Sequence, residues 1–345
     1  MIPYVWSDRH RGHVPGGEIY VGERTPGTEI PERAERIRAA LDAAGARCVP
    51  ASEHPDALAL HDPGLVAWLR GAWEEWSAAG LPDRIVPYLV PTAGLLGELA
   101  PRDPASPAAR AGRWVYDTMT LIGPGTWDAA RAAVDVAVTA ADLVLAGERA
   151  AYACCRPPGH HATRDGIGGS CYLNNAAAAA ARLRPFGRVA VLDVDAHHGN
   201  GTQAIFWHDD DVLTGSVHVD PGAGWFPHHA GFADESGAAN RNLPLAPGAG
   251  DVGWLAAIDD LIAWAGDATA LVVALGVDAA AGDPESPLTV SRDGYAEAGR
   301  RFAAMQLPTV VVQEGGYDLE TLGDLVTAFL VAFGPGDPTR VADRR

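Results

Sequence analysis

Five short runs of the chain, 151–155, 189–194, 212–219, 270–276 and 309–313, are largely apolar and rich in Val. A strand with one wet face alternates apolar and polar residues. A run without that alternation suits a parallel strand covered on both faces. Between the runs, helical periodicity marks 31–44, 64–79, 126–146, 174–184, 253–265, 291–305 and 319–333, and Pro31 stands where a helix opens. Strand and helix therefore alternate, which predicts a doubly wound α/β chain around a parallel sheet. No internal repeat and no Ser- or Gly-rich linker divides the 345 residues, so 1–345 reads as one domain. Two segments fall outside the pattern. Residues 84–125 hold six prolines and little periodicity, and are expected to form a long irregular surface excursion of the functional kind. The residues from about 334 onward read as a frayed tail.

A polar cluster follows nearly every apolar run. RPPGHHA (156–162) follows the first, DVDAHHGNG (193–201) grows out of the second, GVD (276–278) follows the fourth and EGGYD (314–318) the fifth. In open α/β sheets the ligand site lies beyond the carboxyl ends of the strands, so these clusters are expected to converge on one rim.

Charge narrows the function classes. The formal net charge is −18 and the isoelectric point about 4.9. Such a surface repels phosphate, which excludes nucleic acid and anionic membranes as partners and favours a cationic small substrate. All 26 basic residues are Arg, so Schiff-base and P-loop lysine chemistry are excluded. The four cysteines, Cys48, Cys154, Cys155 and Cys171, form no C-x-x-C pair, which argues against a cysteine zinc site or a disulfide framework. The N-terminus has no signal-peptide core and no apolar run reaches spanning length, so the expected location is cytoplasmic.

The rim clusters carry the chemistry. Asp195 and His197 are alternate residues leaving a strand, so both side chains can address one metal, and Asp278 beyond another strand can supply a third ligand. One imidazole and two carboxylates leave a coordination place open, as a catalytic metal requires. His160 and His161 are adjacent in the Pro-Pro-Gly-His-His turn. They read either as a second metal site or as a base dyad, with Asp193 and Asn200 available to fix their tautomers. Eight of the twelve histidines fall between residues 160 and 229. Tyr317, after Gly315 and Gly316, can reach into the site and donate a hydrogen bond to a carbonyl oxygen.

These motifs, with GGSCYLNN (168–175), LGVDAAAGDP (275–284) and HDPGLVAWLRGAWEEW (61–76), resemble the histone deacetylase superfamily in its bacterial acetylpolyamine amidohydrolase branch. The resemblance spans nearly the whole chain. It implies an arginase–deacetylase α/β fold with a central parallel sheet of about eight strands flanked by helices. It implies one zinc ion per chain on Asp195, His197 and Asp278, with His161 as general base and then acid and His160 assisting electrostatically. Asp193 would back His160, Asn200 would back His161, and Tyr317 would polarise the scissile amide. Asn at 200 points to the class II-like and polyamine enzymes, since the other branch carries Asp there. The resemblance further implies a structural potassium ion on Asp193, Ser216 and the main-chain oxygens of Asp195, His197 and Val217.

For the substrate, the resemblance implies removal of an acetyl group from an N-acetylated amine, foremost an acetylpolyamine. Acetyl-lysine and a secondary-metabolite intermediate stand as alternatives. Gly169, Trp225 and Phe226 would line the tunnel. Ser170 departs from the family pattern by replacing an aromatic wall, which implies a wider or more polar tunnel unless Trp225 or a loop fills the gap. Glu285 stands where some polyamine-preferring relatives carry a carboxylate against a secondary ammonium. The 84–125 excursion implies a homodimer. A ureohydrolase of the same fold would need more bridging carboxylates than His198 and Asn200 offer. A non-catalytic acyl-ligand sensor would be expected to lose Tyr317 or a histidine.

Overall fold

Alternate residues of the central strands enter two different cores. The computed structural model describes residues 1–334, and the expected frayed tail lies almost wholly outside them. Ten strands are present among these residues: β1 (Tyr4–Trp6), β2 (Glu18–Tyr20), β3 (Glu23–Thr25), β4 (Cys48–Pro50), β5 (Ala150–Ala153), β6 (Val189–Asp193), β7 (Val212–Val219), β8 (Asn240–Leu245), β9 (Ala270–Leu275) and β10 (Thr309–Gln313). Eight form one sheet in the order β4-β1-β5-β10-β9-β6-β7-β8, every neighbouring pair parallel. β2 and β3 make a separate antiparallel hairpin.

The helices are α1 (Glu32–Ala43), α2 (Pro63–Ala78), α3 (Ala93–Leu96), α4 (Pro107–Trp114), α5 (Thr126–Leu145), α6 (Asn175–Leu183), α7 (Asn200–Phe206), α8 (Asp251–Trp264), α9 (Arg292–Ala304) and α10 (Leu322–Leu330). On β9, Leu271, Val273 and Leu275 join Leu192 of β6 in a core with Ile37 of α1, Trp254 of α8, Phe302 of α9 and Phe329 of α10. The intervening Ala270, Val272 and Ala274 pack with Val191 against Val136, Ala140 and Val144 of α5 and Ala176, Ala177, Ala179 and Ala180 of α6. Both faces of the sheet are thus covered, which is why its strands read as unbroken apolar runs. The small Ala face of α6 fits against β-branched side chains of the sheet.

The structure corrects the reading of 84–125. This segment contains α3 and α4, and it is only partly a surface excursion. Ile85, Trp114, Val115 and Ile122 are buried in a third core with Leu65, Leu69 and Trp76 of α2. The segment also returns through α4 to the rim of the sheet, where Tyr116 N donates to Ile167 O at 3.0 Å. Strands β1, β4 and β8 lie outside the five apolar runs. β4 and β8 are the sheet edges and carry Pro50 and Pro244, which an edge tolerates because one side of it needs no ladder donor.

Candidate metal and catalytic site

Because all eight strands run parallel, the segments leaving β5, β6, β9 and β10 open on one rim. There the chain brings together Asp195, His197 and Asp278, whose ligand atoms lie within 4.8 Å of one another. His197 Nδ1 faces Asp195 Oδ1 at 3.3 Å and Asp278 Oδ2 at 3.1 Å. The remaining carboxylate valences are fixed by main-chain donors: Gly315 N to Asp195 Oδ2 at 2.7 Å, and Ala196 N to Asp278 Oδ1 at 2.9 Å. A side chain at 315 would run into both carboxylates, so Gly315 is set by close approach. Both aspartates are fully buried. Burial and the charge on Asp195 push Asp278 up to about 7. Two buried carboxylates and an imidazole turned to one point are a donor set that fits a divalent cation.

Behind this cluster, His160 Nδ1–H donates to Asp193 Oδ2 at 2.9 Å, and His161 Nδ1–H donates to the Asn200 carbonyl at 2.7 Å. The partners differ in charge, and the rings respond differently. Burial opposes charge on His160, but Asp193 and Asp195 prevail and raise it to about 10. Burial, with His160 and His197 nearby, holds His161 well below its ordinary value. His161 is therefore neutral, and with Nδ1 carrying the proton its Nε2 is a free base. Tyr116, a residue without a sequence signal, completes this side. Its hydroxyl donates to His161 O at 2.8 Å and accepts from Asn200 Nδ2 at 3.4 Å.

His197, Tyr317, Gly169, Ser170, Trp225, Phe226 and Glu285 line one cavity of about 460 Å³. The Phe226 ring lies edge-on to His161 with centroids 4.7 Å apart. Gly169 has a φ of +57°, and a side chain there would strike both rings. Its backbone N donates to Asp117 Oδ2 at 2.6 Å. Ser170 also lies in the left-handed region, and Met119 lines the same cavity. The segment bearing Trp225 and Phe226 is pinned where neutral His218 donates to Gly231 O at 2.7 Å and Gly231 N donates to Glu235 at 2.8 Å. Ser216, by contrast, is turned to His218 Nδ1 at 2.8 Å.

The mouth of the cavity is acidic. Glu285 accepts from Thr28 Oγ1 at 2.7 Å, and Glu18 of β2 lines the same opening. Burial, then Glu285 and Asp117, raise Glu18 to about 7. Asp283 ties two of the lining residues together, accepting from Glu285 N at 3.0 Å and Tyr317 N at 2.7 Å. Glu18 and Asp117 carry no signal in the sequence, whereas Asp283 stands within the LGVDAAAGDP motif.

Comparison with known proteins finds relatives over almost the whole chain. A family model described as the histone deacetylase domain matches residues 28–333. Acetylpolyamine amidohydrolase 1 of Pseudomonas aeruginosa is 41% identical over 336 residues, spanning 92% of this chain and 95% of that protein. The acetylpolyamine amidohydrolase of Mycoplana ramosa is 40% identical over 331 residues, spanning 92% and 96%. The crystal structure of an acetylpolyamine aminohydrolase from Burkholderia pseudomallei superposes with a TM-score of 0.90 at 37% identity, covering 97% of this chain and 99% of that one.

Purified protein is expected to carry about one divalent ion per chain by elemental analysis. Asp278→Ala should abolish that stoichiometry while the circular dichroism spectrum stays native. A full complement of metal in this variant would show that the ion sits elsewhere.

Proposed function

The chain belongs to the histone deacetylase family and has its arginase–deacetylase fold, and on that premise we propose a zinc-dependent amidohydrolase that removes acetyl groups from N-acetylated polyamines. The observation that carries this reading is a metal-type donor set beside a neutral buried histidine, with His197 of that set and Tyr317 lining an acidic cavity. Zinc on Asp195, His197 and Asp278 would supply Lewis acidity to the amide carbonyl and acidify a water. His161 takes the proton of the attacking water on Nε2, because Asn200 occupies its Nδ1. Tyr317 O–H donates to the carbonyl oxygen as negative charge grows there. His161 then returns the proton to the leaving nitrogen, giving acetate and a free amine. His160, held against Asp193, contributes positive charge beside the reacting centre. A potassium ion on Asp193, Ser216 and the main-chain oxygens of Asp195, His197 and Val217 belongs to the same proposal. Asp193 and Ser216 are register partners across β6 and β7.

The substrate class follows from charge at the mouth. A polyamine carries ammonium groups beyond its acetylated end, and Glu285 and Glu18 border the opening they would cross. One partly desolvated carboxylate–ammonium contact is worth about 1–3 kcal/mol, roughly ten- to hundredfold in specificity. The protein is further proposed to act as a homodimer. Tyr88, Leu95 and Leu99 on the segment before α4 are 89%, 57% and 74% exposed, an apolar surface that a second copy would cover. No helix of the described residues is long and apolar enough to cross a membrane.

With an acetylated polyamine as substrate, Tyr317→Phe should lower turnover by roughly two to three orders of magnitude, the scale of a lost oxyanion donor. His161→Ala should be at least as damaging, and more so than His160→Ala. Equal turnover in wild type and Tyr317→Phe would overturn the reading.

Selectivity should respond to the mouth carboxylates. Glu285→Leu should cut activity on acetylspermidine-like amines about tenfold or more while sparing neutral acetyl amides. Glu18 ionises as pH rises through about 7, so preference for the cationic substrate should grow across that range. Glu18→Gln should flatten the growth. An unchanged cationic-to-neutral ratio in both variants would remove the charge argument.

Sedimentation velocity at micromolar concentration should give the mass of two chains. Tyr88→Ser with Leu99→Ser should shift it toward one, and a monomeric wild type would refute the dimer.

A further inference from the structure

We propose that Glu29 is a positioning residue for catalysis. Its one buried carboxylate fixes the His160–His161 turn and the Tyr317 loop in a common geometry, through Arg156 and Arg33. This inference rests on the roles proposed above for His161 and Tyr317.

Glu29 lies between β3 and α1, 4% exposed. Its Oε1 meets Arg156 Nε at 2.8 Å and Arg33 NH1 at 3.0 Å, and its Oε2 accepts from Arg156 NH2 at 3.0 Å. Each guanidinium then reaches a different part of the site. Arg33 Nε donates to Gly316 O at 2.6 Å and its NH2 to Glu314 O at 2.7 Å, and its Cζ stands 4.4 Å from the centre of the Tyr317 ring. Arg33 therefore holds the backbone on either side of Gly315 and one face of the tyrosine. Arg156 begins the turn that carries the histidines. It ties that turn to the N-terminal segment through His10 O at 2.7 Å and His13 O at 2.9 Å.

Among the described residues, Glu29 is the one carboxylate that pairs with either arginine. Two guanidiniums buried side by side repel, and a single shared anion sets their separation. The ion triad thus converts one carboxylate position into the spacing between two catalytic loops. Burial opposes charge on Glu29, yet Arg156, His13 and Arg33 hold it ionised, far below the usual carboxylate range. A buried ion triad is a poor source of stability compared with apolar packing, but it is directional. That directionality suits a site in which a displacement of about 1 Å can cost on the order of a hundredfold in rate.

The test uses the metal-loaded enzyme with an acetylated polyamine. Glu29→Gln removes the shared charge. Arg33→Lys keeps the charge of its side chain but replaces the guanidinium fork, whose Nε and NH2 address Gly316 O and Glu314 O separately, by a single ammonium, so it serves if Glu29→Gln fails to fold. The folded variant should keep wild-type metal content and a KM within about twofold, while kcat falls roughly ten- to hundredfold. In a Tyr317→Phe background, Arg33→Lys should then cost less than about threefold more, because the group it positions is already gone. A variant with lower thermal stability but unchanged kcat would overturn the proposal and leave Glu29 a structural residue. So would a full additional loss in the Tyr317→Phe background. If Tyr317→Phe alone retains full activity, the catalytic reading fails first, and this inference falls with it.

Discussion

Asp195 and Asp278 are two carboxylates buried in contact with the same imidazole, and much of the rim is arranged around that fact. Two like charges taken out of water repel and lose their hydration, so the pair is stable only with a cation between them or a proton on one of them. The fold commits heavily to holding the pair. Main-chain donors from 196 and 315 point inward at them, and Gly315 forgoes a side chain to let the EGGYD loop approach. His160, pressed against Asp193 and Asp195, is drawn toward the charged form by the same negative field. His161, one residue on and bonded to a neutral amide, is not. Adjacent residues of one chemical type thereby acquire different protonation, and acid–base work needs that separation.

The parts of the fold that sequence reveals are those whose local pattern and tertiary environment agree. β6, β9 and β10 read directly because both faces are buried and their central positions are all apolar. The metal-type residues read as well, since they are the polar residues that end these runs. Elements whose character depends on distant packing are silent. β1 and β4 are three residues each, too short for periodicity, and β8 is the polar run NRNLPL, accepted as a strand only because it lies at the edge beside β7. α4 hides among prolines and is recognisable by Trp114 reaching the α2 core. Glu18 and Asp117 join Glu285 only in three dimensions, and nothing in the spacing of these residues announces it.

The N-terminal forty residues do more than flank the sheet. The β2–β3 hairpin brings Glu18 to the mouth, Thr28 orients Glu285, and Glu29 with Arg33 reaches the Tyr317 loop. On the proposed roles, selectivity and catalytic geometry share one short stretch of chain, while the metal-type residues sit just beyond the ends of the central strands. This division lets the entrance vary without disturbing the buried centre, as loops on a rigid scaffold generally do.

The central claim is that one metal ion sits between Asp195, His197 and Asp278. Anomalous diffraction at the zinc edge from crystals of the zinc-loaded enzyme tests it most directly. The account predicts one strong peak, with His197 Nδ1 and one oxygen each of Asp195 and Asp278 about 2.0–2.2 Å away. A principal peak at the other cluster of ligand-type side chains, His160, Cys171 and Glu314, would contradict it. So would a second, bridged ion of equal occupancy.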